Sequence, residues 1–154
     1  MENYLYFRTE ATIANDDDIA TSAMFPASSF LGCYPVSDTS LKLHFKPLFF
    51  QNTAATRVIQ QSSAFDQTSI MVKQPHDLLT DTVELTINTN KHKEVMEALA
   101  IQIVKGPGSS SGFITVADDL SGATEYLNKE ITACGTITIN VAASGSDSFS
   151  STFA

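Results

Sequence analysis

A chain of 154 residues and 16.6 kDa is the size of one domain, and 43% hydrophobic residues at a mean hydropathy of +0.01 are enough for a core, which excludes a disordered tail. Seventeen acidic against nine basic residues give a net charge of -8 and a pI near 4.6, a balance that argues against a nucleic-acid or anionic-lipid surface. Only 17% of residues are charged, so solubility leans on Ser, Thr, Asn and Gln, and such a surface packs against neighbours without desolvating many ions.

Residues 1–9 open with Tyr4, Leu5, Tyr6 and Phe7, a β-favouring run that predicts a strand. Residues 10–36 read as a long irregular loop: they hold Asn15-Asp16-Asp17-Asp18, Pro26, Pro35, several serines and isolated Met24, Phe25, Phe30 and Leu31. A loop of that length is either pinned by its aromatics or reaches a partner. Leu41, Leu43 and Phe45 then alternate with Lys42, His44 and Lys46 until Pro47, the pattern of a half-buried strand.

Between 48 and 74 only Ser69-Ile70-Met71-Val72-Lys73 has the look of a short strand. Val83, Leu85 and Ile87 alternate cleanly with Thr82, Glu84, Thr86 and Asn88. Asn90 stands where an N-cap belongs, ahead of Val95, Met96, Leu99, Ala100 and Ile103 at three- and four-residue spacing. That spacing predicts one amphipathic helix over 91–105, ended by Gly106 and Pro107. Beyond the loop 107–112, Phe113-Ile114-Thr115-Val116-Ala117 predicts a strand and Asp118-Asp119 a turn. A last strand over 130–141 puts Ile131, Ala133, Gly135, Ile137, Ile139 and Val141 on one face, and a Ser-rich tail fills 142–154. The expectation is an α+β, mostly β fold: an antiparallel sheet of five or six strands, sandwich-like or open, with one helix, in a single domain 1–141.

No run reaches the ~20 apolar residues that span a bilayer. Met1-Glu2-Asn3-Tyr4 lacks the basic start and apolar run of a signal peptide, so a soluble chain without a membrane partner is expected. Cys33 and Cys134 have no CxxC and no other thiol beside them, which predicts two buried, reduced thiols. Asp16, Asp17 and Asp18 lack the alternating spacing and distal Glu of a calcium loop. His44, His76 and His92 form no HxH, HExxH or HxxxH pair, so no metal and no cofactor are expected. No GxSxG elbow appears, and Gly106-Pro107-Gly108 follows a helix where a phosphate loop precedes one; neither catalytic nor nucleotide-binding residues are assigned.

The order Val83-Glu84-Leu85-Thr86-Ile87, His92-Lys93-Glu94-Val95-Met96-Glu97, Gly112-Phe113-Ile114-Thr115-Val116-Ala117-Asp118-Asp119 and Ile131-Thr132-Ala133-Cys134 resembles small virion structural proteins of marine tailed phages, above all those infecting cyanobacteria. The likeness covers under half the chain and assigns no functional residue. It implies a head decoration or cement protein, or a small virion appendage, assembled in the host cytoplasm. The partners expected are further copies, as a dimer or trimer, and a major capsid or other virion protein, with no nucleic acid. Aromatics concentrated early in the chain are the candidate interface, Tyr4, Tyr6, Phe25, Phe30 and Tyr34, with Phe149 and Phe153 of the tail. Two other classes compete: a receptor- or glycan-binding appendage that would present an aromatic shelf near Asp16–Asp18, and an enzyme whose triad leaves no sequence trace.

Overall fold

The computed structural model describes residues 2–49, 56–60, 69–73, 80–106 and 111–140, with backbone alone for 56–60 and 69–73. In chain order the strands are β1 (Tyr4–Arg8), β2 (Ser22–Pro26), β3 (Phe30–Ser37), β4 (Ser40–Phe45), β5 (Thr56–Gln60), β6 (Ser69–Lys73), β7 (Asp81–Ile87), β8 (Phe113–Asp118), β9 (Glu125–Tyr126) and β10 (Ile131–Thr138). The helix α1 (His92–Lys105) lies between β7 and β8. Among the described residues the protein is mostly β with one α-helix.

The chain divides into two compact units: residues 1–48 with 80–139, and 49–79 with 140–154. In the second, β5 and β6 pair as an antiparallel ribbon with Thr56 opposite Lys73. In the first, two four-stranded sheets form, ordered β2-β1-β8-β9 and β10-β7-β4-β3. The expected five or six antiparallel strands are thus corrected in number, and in direction at one place: β1 runs parallel to β8, Tyr4 beside Phe113. Residues 10–36 are corrected as well. They are not one irregular loop, since β2 and β3 occupy much of the segment, joined by a 3-10 turn over Ala27–Ser29.

Period-two alternation builds the core. Leu5 and Phe7 of β1, Phe25 of β2 and Ile114 and Val116 of β8 point inward from the first sheet, and Leu41, Leu43, Phe45, Val83, Leu85 and Ile87 from the second, all buried. Ring contacts join the sheets. Phe45 stacks on Phe25 at 4.2 Å between centroids and 8° between planes, while Phe7 meets Phe45 edge-on at 5.7 Å; within the second sheet, Phe30 lies 5.6 Å from Phe45. Each such pair adds roughly 0.5–1.5 kcal/mol beyond its burial.

α1 presents Val95 and Leu99 to this core, with Met96 and Ile103 partly buried against it. Ala100, expected inward, is exposed. Asn90 is not the N-cap. It adopts φ 60, a left-handed conformation Asn tolerates, and the cap is Lys91, whose side chain makes no capping bond. The turn is held instead by the β3–β4 hairpin: Asn90 N–H donates to the Asp38 carbonyl at 2.9 Å and His92 Nε2 to the Ser37 carbonyl at 2.8 Å.

β10 departs from simple alternation. Its buried residues are Ile131, Cys134 and Ile137, three apart, because the register against β7 shifts between Ile131 and Ala133 and again between Cys134 and Ile137. Gly135 sits at the second shift, where a Cβ would lie 2.6 Å from the Glu84 carbonyl oxygen. A side chain there would push the two strands apart.

Candidate functional site

The outward face of the first sheet follows from its registers. Tyr4 stands between Pro26 and Phe113, Tyr6 between Met24 and Thr115, and Arg8 between Ser22 and Asp118. Since their inward neighbours Leu5, Phe7, Phe25 and Ile114 fill the core, this second set must face away from it. Tyr4 is 37%, Met24 45% and Phe113 42% exposed, and Tyr6 is half-buried with its ring 5.1 Å from that of Phe113, inclined by 36°. Apolar and aromatic groups therefore dominate one side of the sheet, with no ionised side chain among Tyr4, Tyr6, Met24, Pro26, Phe113 and Thr115.

Within β1, β2 and β8 the charged residues of that face are Arg8 and Asp118, at its far end, and they are paired. Arg8 Nε donates to the Tyr6 hydroxyl at 2.7 Å, pairs with Asp16 at 3.3 Å and Asp118 at 3.4 Å, and its guanidinium carbon lies 5.5 Å from the Tyr6 ring centroid. Three segments, β1, the stretch after the 3-10 turn Ile13–Asn15, and the end of β8, are tied at one cation. Asp16 acts here as a structural counter-ion, not as part of a solvated aspartate run.

A second polar cluster centres on Asp119. Its Oδ1 accepts from the Tyr126 hydroxyl at 2.6 Å, and both its oxygens lie 3.0 Å from the Cys134 amide nitrogen. The Thr9 hydroxyl donates to the Cys134 carbonyl at 3.1 Å. Burial first, then the carboxylates of Asp119 and Asp118, push the Cys134 thiol up to about 12. Burial and the bond to Asp119 raise Tyr126 to about 12. Neither the thiol nor the phenol ionises near neutrality, and the hydrogen bonds of Asp119 join β8, β9 and β10. Cys33 and Cys134 are free thiols, with Cys33 likewise pushed up by burial.

The candidate interface residues scatter. Tyr4 and Tyr6 share the outward face just described. Tyr34 is 50% exposed on the other sheet, stacked on His44 at 5.1 Å. Phe25 has no exposure, inward parity in β2 placing it in the core, and Phe30 is half-buried with its ring against Phe45. Phe149 and Phe153 lie outside the described residues. Sequence reasoning missed Met24, Pro26 and Phe113 as members of the face. The alternation of Phe113 and Thr115 with Ile114 and Val116 was a usable signal, but the parallel pairing that brings Phe113 beside Tyr4 had none. Among the described residues no group of three His, Cys, Asp or Glu side chains is placed to hold a metal, and no helix is long and apolar enough to cross a membrane. No family model matches the chain, and neither a curated protein nor a solved structure matches it.

Proposed function

We propose that the chain is a structural module of a virion, a capsid decoration or cement protein or small appendage, that associates with copies of itself and with a particle lattice assembled in the host cytoplasm. The observation that carries the reading is the uncharged outward face of Tyr4, Tyr6, Met24, Pro26 and Phe113 on a chain of net charge -8. Tyrosine, phenylalanine and methionine are the residues that protein interfaces concentrate, and a face without ions is covered at little desolvation cost. On this reading the two sheets, sharing one aromatic core, are a sandwich that serves as a rigid carrier for that face, and no catalytic role is assigned.

The aromatic shelf ends at the Arg8–Asp16 pair, which is the placement a glycan-binding appendage requires, and this is the second reading. Two features favour protein over sugar as occupant. The Tyr6 and Phe113 rings are inclined by 36° and offer no flat platform for a pyranose. The Tyr6 hydroxyl, Asp16 and Asp118 are each tied to Arg8, and the polar atoms of the cluster without a partner, Arg8 Nη1 and Asp16 Oδ1, are buried away from an incoming sugar.

Copy counting by mass spectrometry on purified particles tests the proposal. Many copies per particle are the expected result for a decoration protein, and few copies for a vertex or tail part. Absence from particles overturns it, and saturable binding to an oligosaccharide array by a chain that ignores particles moves the assignment to the second reading.

A further inference from the structure

We infer that β2 is a pairing edge, on which a second copy of this chain adds its own β2 antiparallel so that two four-stranded sheets become one. The inference rests on the self-association proposed above and specifies where it occurs. β2 ends the sheet order β2-β1-β8-β9, and among the described residues no strand pairs with its outer side.

The direction of its backbone groups follows from two bonds. Thr9 N–H donates to the Thr21 carbonyl and Ala27 N–H to the Asn3 carbonyl, and the β1–β2 register between them carries no shift. Odd-numbered residues of β2 therefore turn N–H and C=O toward β1, while Ser22 and Met24 turn theirs outward. Pro26 has the outward parity too, where its missing N–H costs the β1 ladder nothing. Pairing about a two-fold axis that sets Ser22 of one copy opposite Met24 of the other satisfies the outward N–H and C=O of both residues in both copies and leaves Pro26 outside the pairing.

Charge selects the occupant. Two chains of net charge -8 repel, and β2 carries no ionisable side chain, so this edge is a place where they can approach without apposing carboxylates. The same two-fold axis, perpendicular to the sheet, makes the faces bearing Tyr4, Tyr6, Met24 and Phe113 continuous across the join, with the 45% exposed Met24 at its centre.

The full chain tests this in solution. Sedimentation over a range of concentrations is expected to show a monomer–dimer equilibrium, and hydrogen exchange is expected to find the Ser22 and Met24 amides protected in the dimer and fast on dilution. Met24→Pro removes an outward N–H and no bond to β1, and should weaken dimerisation on the order of tenfold, the loss of two net hydrogen bonds per dimer. Association with freely exchanging Ser22 and Met24 amides, or a dimer that Met24→Pro leaves equally tight, overturns the β2 edge while the virion reading stands. A chain that stays monomeric at high concentration overturns the edge and self-association together. A dimer protected at Ser22 and Met24 in a protein absent from particles leaves the edge standing and removes the virion assignment.

Discussion

Asp119 shows how one side chain can organise three strands. Its carboxylate receives the Tyr126 hydroxyl from β9 and the Cys134 amide from β10, at the end of β8. Asp119→Ala strands both donors in a half-buried setting, and the expected cost is about 2–3 kcal/mol, read as a shift in the urea midpoint at unchanged slope. A change within error would mean that solvent replaces the clamp. His44 gives the residue scale its pH dependence. Its Nδ1 lies 2.7 Å from Thr80 Oγ1, its Nε2 is buried without a hydrogen-bond partner, and burial, then the charge of Lys42, lower its pKa below the ordinary 6.5. The fold favours the neutral ring, so this contribution is present above the ordinary value and is lost as pH falls through the lowered one. Melting temperatures between about pH 7 and about pH 5 should fall more steeply for the native chain than for His44→Gln. Equal slopes would remove the assignment.

At the scale of elements, α1 was legible because Val95, Leu99 and Ile103 repeat at helical spacing, and the structure buries the first two against the sheets. Leu99→Ala should destabilise by about 2–5 kcal/mol, whereas Val104→Ala, at 84% exposure, should change stability by under about 0.5 kcal/mol. A Leu99→Ala chain that melts with the native one would sever the helix from the core. β4, β7 and β8 were legible for the same kind of reason, each having one buried face and one wet. β2 and β3 were not, because Pro26 and Pro35 read as breakers. Both strands end their sheets, and an edge is where a strand can carry a residue without an N–H. β10 misled differently: Ile131, Ala133, Gly135 and Ile137 alternate in sequence, yet the register shift between Ile131 and Ala133 turns Cys134 inward, and the second shift, at Gly135, brings Ile137 back to the core. The outward face was half legible, since strand parity announced Tyr4 and Tyr6, but the neighbours of β1 depend on a crossover between strands a hundred residues apart in the chain.

At the scale of the whole molecule, the distribution of charge bears on the proposed self-association. Its net -8 is carried elsewhere, while the face of Tyr4, Tyr6, Met24, Pro26 and Phe113 has none and the one cation beside it, Arg8, is bound to Asp16 and Asp118. The proposed association through that face and its edge would draw on apolar burial and backbone hydrogen bonds, both nearly indifferent to ionic strength, and would work against a long-range repulsion that salt screens. Raising salt from about 0.02 M to about 0.5 M shortens the screening length from roughly 20 Å to under about 5 Å, enough to remove most of the repulsion between two acidic bodies and none of the contact at their join. Self-association measured by sedimentation equilibrium should therefore stay level or tighten by a few-fold over that range, chiefly through faster encounter. An interface held by ion pairs would instead loosen by about tenfold or more as its charges are screened. That result would place the contact on the acidic surface and away from the aromatic face.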